Sequence, residues 1–141
     1  MRHIISVLLQ NEAGALSRVA ALFSSRGYNI ESLSVAPTED VDISRLTLVS
    51  TGSDAAIAQI NQQLLKLVDV VKFADMTLDD HIERELLLIK VRVALGSDCD
   101  LPEIIENSGA RVLDDCPETY TLELTAANQQ IDQFITSVGD C

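Results

Sequence analysis

The fold is decided by residues 8–33, LLQNEAGALSRVAALFSSRGYNIESL. This stretch is typical of a strand that ends in a polar turn, followed by an amphipathic helix and the start of a second strand. The helix is predicted by apolar side chains that recur at positions i, i+3, i+4 and i+7, which are Leu16, Val19, Ala20 and Phe23. Gly27 stands where a helix end favours left-handed backbone, so we expect the helix to stop there.

The turn before this helix favours a site for a small carboxylate, such as that of an amino acid. The first N–H groups of a helix have no partner inside it and lie at the positive end of its dipole. Asn11 adds side-chain hydrogen bonds, and Gly14 lets another group approach the backbone closely. The same residues also suit a simpler role, because Asn is common in turns and caps and Gly allows close helix–sheet packing. The residues alone leave both interpretations open.

The composition is that of a globular protein with an aliphatic core. The chain has 141 residues, of which 47% are hydrophobic and 4% aromatic. Its apolar runs are too short to span a bilayer, and no leader is visible before the first strand. We therefore expect no membrane segment and a location in the cytoplasm of a prokaryote, with a processed organellar chain as the alternative.

The charge is unevenly distributed along the chain. The net charge is −12, with −2 over residues 1–75 and −10 over residues 76–141. Nucleic acid is not expected as a partner, because binding it needs a basic surface. The acidic half either keeps the protein soluble or steers a basic protein surface toward it.

Catalytic and metal-binding patterns are not found in the sequence. The cysteines Cys99, Cys116 and Cys141 form no C-x-x-C pair, so we expect free thiols rather than a zinc site or a disulfide. His3 falls in a predicted strand and His81 in a predicted linker, where structural or solvated roles are more common than acid–base catalysis. We therefore assign no catalytic and no metal residue.

The adjacent carboxylates of the chain are also unsuited to catalysis. They fall at residues 79–80 and 114–115, both in predicted loops. Acid–base chemistry needs carboxylates held in a fixed geometry, which a flexible loop does not give.

The element order predicts an α+β fold of two ferredoxin-like units. Residues 1–76 read β-α-β-β-α-β, with strands at 3–9, 30–36, 43–51 and 70–73 and a second helix capped by Ser53. Such a unit leaves one sheet face and its edges to be covered by another chain. Residues 77–84 are polar and acidic, and we interpret them as a linker.

The second unit, residues 85–141, repeats this order but lacks a last strand. We expect a strand from residue 85, a short helix capped by Asp100, a strand at 110–113, a loop at 114–118, a strand at 119–125 and a final helix. Either the chain is truncated, or a partner chain supplies the missing strand.

Several motifs resemble a known family. They are N-E-x-G-A-L-S-R-V at 11–19, R-G-Y-N-I-E-S-L-x-V-A-P-T at 26–38 and E-R-E-L-L-L-I-K-V at 83–91. The chain resembles the small, regulatory subunit of acetolactate synthase (acetohydroxyacid synthase), whose N-terminal part is an ACT domain. The match is dense over residues 1–93 and weaker beyond, where the family continues with a closing strand.

The resemblance implies a non-catalytic subunit of branched-chain amino acid biosynthesis. Such a chain is expected to form a homodimer through its ACT domains, to activate a catalytic large subunit, and to mediate feedback inhibition by valine or a related amino acid. Thiamine diphosphate, FAD and magnesium are expected on the large subunit, and no cofactor is expected on this chain.

The resemblance also implies an effector site shared by the ACT domains of two chains. One wall is the loop after the first strand, and the other is the start of the partner's second strand. On this sequence, the first wall comprises Asn11, Gly14, Ala15 and Leu16, and the second comprises Asn29 and Ile30.

Two other functions remain as alternatives. One is a small hydrolase resembling acylphosphatase, which would need an Arg and an Asn aimed at a phosphate. The other is an oligomerisation module without a ligand. The helix arginines Arg18 and Arg26 are expected to be solvated or to contact a partner protein.

Overall fold

The computed structural model describes residues 1–94, 96 and 98–141. These residues divide into two compact units, residues 1–81 and 82–141. The division falls inside the segment 77–84, which the sequence predicts to be a linker.

The first unit is a four-stranded antiparallel sheet with two helices, in the predicted order. Its elements are β1 (Arg2–Gln10), α1 (Ala15–Ser25), β2 (Ile30–Pro37), β3 (Ile43–Thr51), α2 (Asp54–Leu64) and β4 (Val70–Asp75). The strands lie in the order β2-β3-β1-β4, so β2 and β4 are the edges. This is the ferredoxin-like arrangement that the sequence predicts.

The core of the first unit lies between the sheet and its helices. Alternate residues of the central strand β1, such as Val7 and Leu9, face the helices and are buried. The α1 side chains Val19 and Phe23 pack in the same cluster. This packing fixes the start of α1 at the end of β1, where the polar turn lies.

The edge strand β2 carries apolar side chains that the unit does not cover. Leu33 is 41% exposed and Val35 is 40% exposed, although both pair with buried residues of β3. An uncovered edge with aliphatic side chains is a surface to which another strand can be added.

The helix caps follow the sequence. Ser53 is the N-cap of α2, and its hydroxyl accepts a hydrogen bond from the Ala56 N–H. Gly27 adopts a left-handed φ of +74° just after α1, as its position predicts. The start of α1 differs, because its N-cap is Gly14, which has no side chain to cap the helix.

The second unit contains β5 (Glu85–Arg92), α3 (Leu101–Ser108), β6 (Arg111–Cys116), β7 (Thr119–Ala126) and α4 (Asn128–Gly139). Its strands form a three-stranded sheet in the order β5-β7-β6. Within the described residues this unit has no fourth strand, as predicted. Asp100 caps α3 by accepting a hydrogen bond from the Glu103 N–H, as its position predicts.

The predicted loop at 114–118 is wrong for its first three residues. Asp114 and Asp115 lie in β6, opposite Thr121 and Tyr120 of β7. The strand continues past an irregularity in the pairing near Val112, and only a two-residue turn joins it to β7. Local polarity suggested a loop, whereas pairing with β7 extends the strand.

The prediction of three free thiols is wrong for two of them. Cys99 and Cys141 form a disulfide, with their Cα atoms 5.1 Å apart, and Cys116 is free and exposed. Cys99 comes just before α3 and Cys141 just after α4, and both pack against the second core. The fold brings together two residues that are 42 positions apart, which spacing in the sequence does not reveal.

Candidate functional site

The loop after β1 is held in place by three hydrogen bonds. The Gln10 N–H donates to the Asp69 carbonyl, and the Asn11 N–H donates to the Asp42 carbonyl, each at 2.8 Å. The Asn11 side chain donates through Nδ2 to the Val41 carbonyl, also at 2.8 Å. The loop is therefore anchored to two neighbouring turns. The Asn11 Oδ1 atom accepts no hydrogen bond from the described residues and is free to accept one from a ligand.

The start of α1 has N–H groups without partners. Gly14 is the N-cap with φ +86°, and the first bond inside the helix is from the Arg18 N–H to the Gly14 carbonyl at 3.0 Å. Across the described part of the chain, no group accepts from the N–H of Leu16 or Ser17. These two donors lie at the positive end of an 11-residue helix, an arrangement that suits a carboxylate.

Arg18 also belongs to this region. Its side chain is half-exposed, as expected for a helix arginine, and it makes an ion pair that the sequence did not predict, since its Nε and Nη2 atoms donate to both carboxylate oxygens of Asp69. The Asp69 side chain is 4% exposed and the Arg18 side chain 48%. A buried carboxylate needs such a partner, so this pair joins α1 to the turn between α2 and β4.

The ion pair shifts the titration of both groups. The hydrogen bonds from Arg18 lower the pKa of the Asp69 carboxyl below its ordinary value of 3.8. The same bonds raise the pKa of the Arg18 guanidinium, and the negative charge of Glu12 adds to this effect. Both groups are therefore charged at neutral pH.

Asp69 is expected to contribute to stability in a pH-dependent way. Its pKa is lower in the folded protein than in the unfolded chain, so its contribution is complete above about pH 4 and is lost as the pH falls through the lowered pKa. We expect Asp69→Asn to reduce the fall of the melting temperature between pH 5 and pH 2, relative to the unchanged protein. Thermal unfolding followed by circular dichroism measures this.

The control for this experiment is Asp132→Asn, which removes an exposed carboxylate on α4. An acid-dependent loss of stability that is the same in the Asp69→Asn variant and in the unchanged protein would contradict the assignment.

The structure separates the two predicted walls of the effector site. In β1, Gln10 pairs with Ile43, whereas His3, near the other end, pairs with Ser50. Ser50 is also the partner of Ile30 at the start of β2. The loop after β1 and the start of β2 therefore lie at opposite ends of the sheet within one chain.

The predicted wall residues differ in what they present. Ala15 is 3% exposed, so its side chain packs inside the unit, and its N–H donates to the Glu12 carbonyl. Leu16 is 39% exposed beside the loop. Ile30 packs partly against the first core, and Asn29 is exposed. Whether these residues contact an effector stays a prediction.

His3, another polar candidate, lies against side chains of α2 and of the segment after β4. His3 is 4% exposed, its Nε2 atom lies 3.3 Å from an Asp54 carboxylate oxygen, and its Nδ1 atom faces the Thr77 hydroxyl at 3.4 Å. Thr77 in turn accepts from the Ile4 N–H, so this cluster fixes the segment after β4 to β1. In the described ranges, no group of three His, Cys, Asp or Glu side chains is arranged to hold a metal ion. None of the helices there is long and apolar enough to cross a membrane.

The family models match both units. The model described as AHAS small subunit-like ACT domain matches residues 5–72. The model described as small subunit of acetolactate synthase matches residues 84–140. Each match falls inside one of the two units of the structure.

Curated and solved relatives agree with these matches. The chain is 46% identical to the acetolactate synthase small subunit of Haemophilus influenzae and 43% identical to the isozyme 3 small subunit of Escherichia coli. Both alignments cover 99% of this chain and 86% of the relative. The crystal structure of the Thermotoga maritima small subunit superposes with a TM-score of 0.81 at 34% identity, over 96% of this chain and 85% of that one. The chain belongs to the family of acetolactate synthase small subunits, with an ACT domain in its first unit.

Proposed function

We propose that this chain is a regulatory subunit that binds a branched-chain amino acid and controls a catalytic acetolactate synthase subunit in the bacterial cytoplasm. The observation that carries the proposal is the uncapped start of α1, with the free N–H groups of Leu16 and Ser17 beside the anchored loop. The family and its ACT domain support a regulatory role. Thiamine diphosphate, FAD and magnesium belong to the catalytic subunit in this proposal.

The proposed homodimer forms by antiparallel pairing of β2 with the β2 of a second copy. The uncovered Leu33 and Val35 at this edge favour such pairing. The end of β2, at Pro37, lies at the same end of the sheet as the loop after β1. Antiparallel pairing would bring the start of the partner's β2 to that end. It would therefore join the two walls that a single chain keeps apart.

The proposed site recognises the three parts of an aliphatic amino acid separately. The N–H groups of Leu16 and Ser17 receive the carboxylate. The Asn11 Oδ1 atom, oriented by the bond from Nδ2 to Val41, accepts from the ammonium group, together with the partner's Asn29. The half-exposed Leu16 side chain meets the aliphatic side chain of the ligand.

Regulation requires the effector to bind two states of the assembly with different affinity. In the proposed mechanism, the dimer activates the catalytic subunit, and L-valine favours the state in which that activation is reduced. The test is to measure acetolactate formation by a catalytic subunit alone, with this chain, and with this chain plus L-valine. We expect activation by the chain and its partial reversal by L-valine.

Three outcomes would contradict the proposal. The first is a catalytic rate that this chain does not change. The second is turnover of an acyl phosphate by the purified chain that Arg18→Ala abolishes, which would favour the hydrolase alternative. The third is a thermal stability of the chain that no amino acid of a panel changes, which would favour the oligomerisation module without a ligand.

Asn29→His is expected to weaken L-valine binding about tenfold, a loss typical of one hydrogen bond to a charged group. The Asn29 side chain is exposed and makes no hydrogen bond within the described chain, while its carbonyl accepts from the Ser50 hydroxyl at 2.7 Å. The substitution should therefore spare the fold. Calorimetric titration measures the affinity, with Asn128→His on α4 as the control. An unchanged affinity would argue against the second wall.

A further inference from the structure

The guanidinium of Arg18 is held by Asp69 through two of its three nitrogens. Its Nε and Nη2 atoms donate to Asp69, with Nη2 3.1 Å from Oδ1, which leaves Nη1 free of any hydrogen bond to the described residues. Because Asp69 is almost completely buried and accepts from two guanidinium nitrogens, the pair holds the guanidinium in place, while the Arg18 side chain as a whole stays 48% exposed.

The Nη1 atom of Arg18 lies beside Gly14, in the loop of the proposed site. A Cβ atom added at Gly14 would stand 2.8 Å from Arg18 Nη1, so the guanidinium occupies the space that glycine leaves open. Gly14 is also the N-cap of α1 and directly precedes Ala15 and Leu16, the first two residues of the helix. A cationic donor therefore lies beside the same helix start that offers free N–H groups.

We propose that Arg18 recognises the carboxylate of the effector through Nη1 and that Asp69 is the positioning residue that holds it there. This inference rests on the proposed function, because it concerns the same effector site. In this proposal, the Nε and Nη2 atoms of Arg18 hold the side chain against Asp69, and the Nη1 atom binds the ligand.

The charges around Arg18 also define the class of ligand. Asp69 pairs with the guanidinium, and the Glu12 carboxylate acts on it electrostatically. The three side chains together carry one net negative charge, so the site has no surplus positive charge for a dianion. A zwitterion fits, with its carboxylate on Arg18 and its ammonium group toward Glu12 and Asn11. The site is thus expected to select monocarboxylate amino acids over dicarboxylates and phosphates.

The test compares two ligands that differ only in the carboxylate, L-valine and L-valinamide. In the full chain, the Arg18→Ala variant is expected to bind L-valine at least tenfold more weakly, a loss typical of a charged hydrogen bond. Its affinity for L-valinamide, measured by NMR titration at millimolar concentration, is expected to change much less. The ratio of the affinity for L-valine to the affinity for L-valinamide should therefore fall in the variant.

The controls separate recognition from folding. Arg26→Ala removes the arginine at the C-cap of α1, at the far end of the helix, and should leave both affinities unchanged. Arg18→Ala alone leaves the buried Asp69 carboxylate without its partner and can unfold the chain. In that case the two affinities are measured in the double variant Arg18→Ala/Asp69→Asn, which leaves no unpaired buried charge. Equal losses for L-valine and L-valinamide, or no loss, would overturn the role of Arg18. Failure of the unchanged protein to bind L-valine would instead contradict the proposed function.

Discussion

Gly14→Asp should abolish the response to L-valine, with binding weakened on the order of 100-fold by a carboxylate placed beside that of the effector. The new side chain would start 2.8 Å from Arg18 Nη1, so it would also compete with Asp69 for the guanidinium. Calorimetric titration measures binding, and activation of the catalytic subunit reports whether the rest of the chain still works.

Two controls isolate the charge in this experiment. Gly14→Ala imposes the same left-handed strain, about 1–2 kcal/mol, and the same contact of a Cβ with Arg18 Nη1, but it adds no carboxylate. The part of the loss that Gly14→Ala does not reproduce is therefore due to the added charge. Gly109→Asp adds a carboxylate at a similar φ of +73° in the second unit, where no atom lies within 4 Å of the added Cβ. A Gly14→Asp protein that binds L-valine normally would remove the loop after β1 from the site.

Val35→Lys is expected to weaken the dimer on the order of 100-fold or more, because the substitution places a charge at the proposed interface twice, once from each copy. The site shared between the chains would be lost with it. Analytical ultracentrifugation should then show monomers, and calorimetry should show no binding of L-valine at micromolar concentrations of the chain.

The matched control is Val71→Lys, which changes an exposed valine on the opposite edge strand, β4, of the same sheet. We expect this variant to remain dimeric and to bind L-valine. Monomers from Val71→Lys together with dimers from Val35→Lys would place the interface at β4 instead.

Local patterns in the sequence were enough to predict most of the fold. The apolar spacing of α1, the cap residues Ser53 and Asp100, and the turn at Gly27 act within a few residues of their own position. The order of elements then limits the topology to the ferredoxin-like arrangement. The strand at 114–116 was missed because its two aspartates make this stretch locally polar, which is typical of a loop. The stretch becomes a strand through its pairing with β7.

Features that depend on tertiary contacts could not be predicted in this way. Arg18 and Asp69 are 51 residues apart, and Cys99 and Cys141 are 42 apart. One signal for the first pair was present, because Asp69 interrupts an otherwise apolar stretch, Leu67-Val68-Asp69-Val70-Val71. A charge within such a stretch is buried only with a partner, but the sequence does not say which cation provides it.

The candidate site shows the same division. The helix start and its free N–H groups follow from local sequence, since Gly14 cannot cap α1 with a side chain. The separation of the loop from Asn29 follows only from the strand pairing. It is this separation that makes a second copy of the chain necessary for the proposed site.

The most direct test of the shared site uses one heterodimer. A Gly14→Asp chain and an Asn29→His chain, carrying different affinity tags, are co-expressed, and the mixed dimer is isolated on both tags. Each homodimer has two damaged sites, whereas the mixed dimer has one site with both changes and one with neither. Calorimetry should therefore show L-valine binding to the mixed dimer with unchanged affinity and about half the wild-type stoichiometry. A mixed dimer that binds no more tightly than the two homodimers would contradict a site formed between two chains.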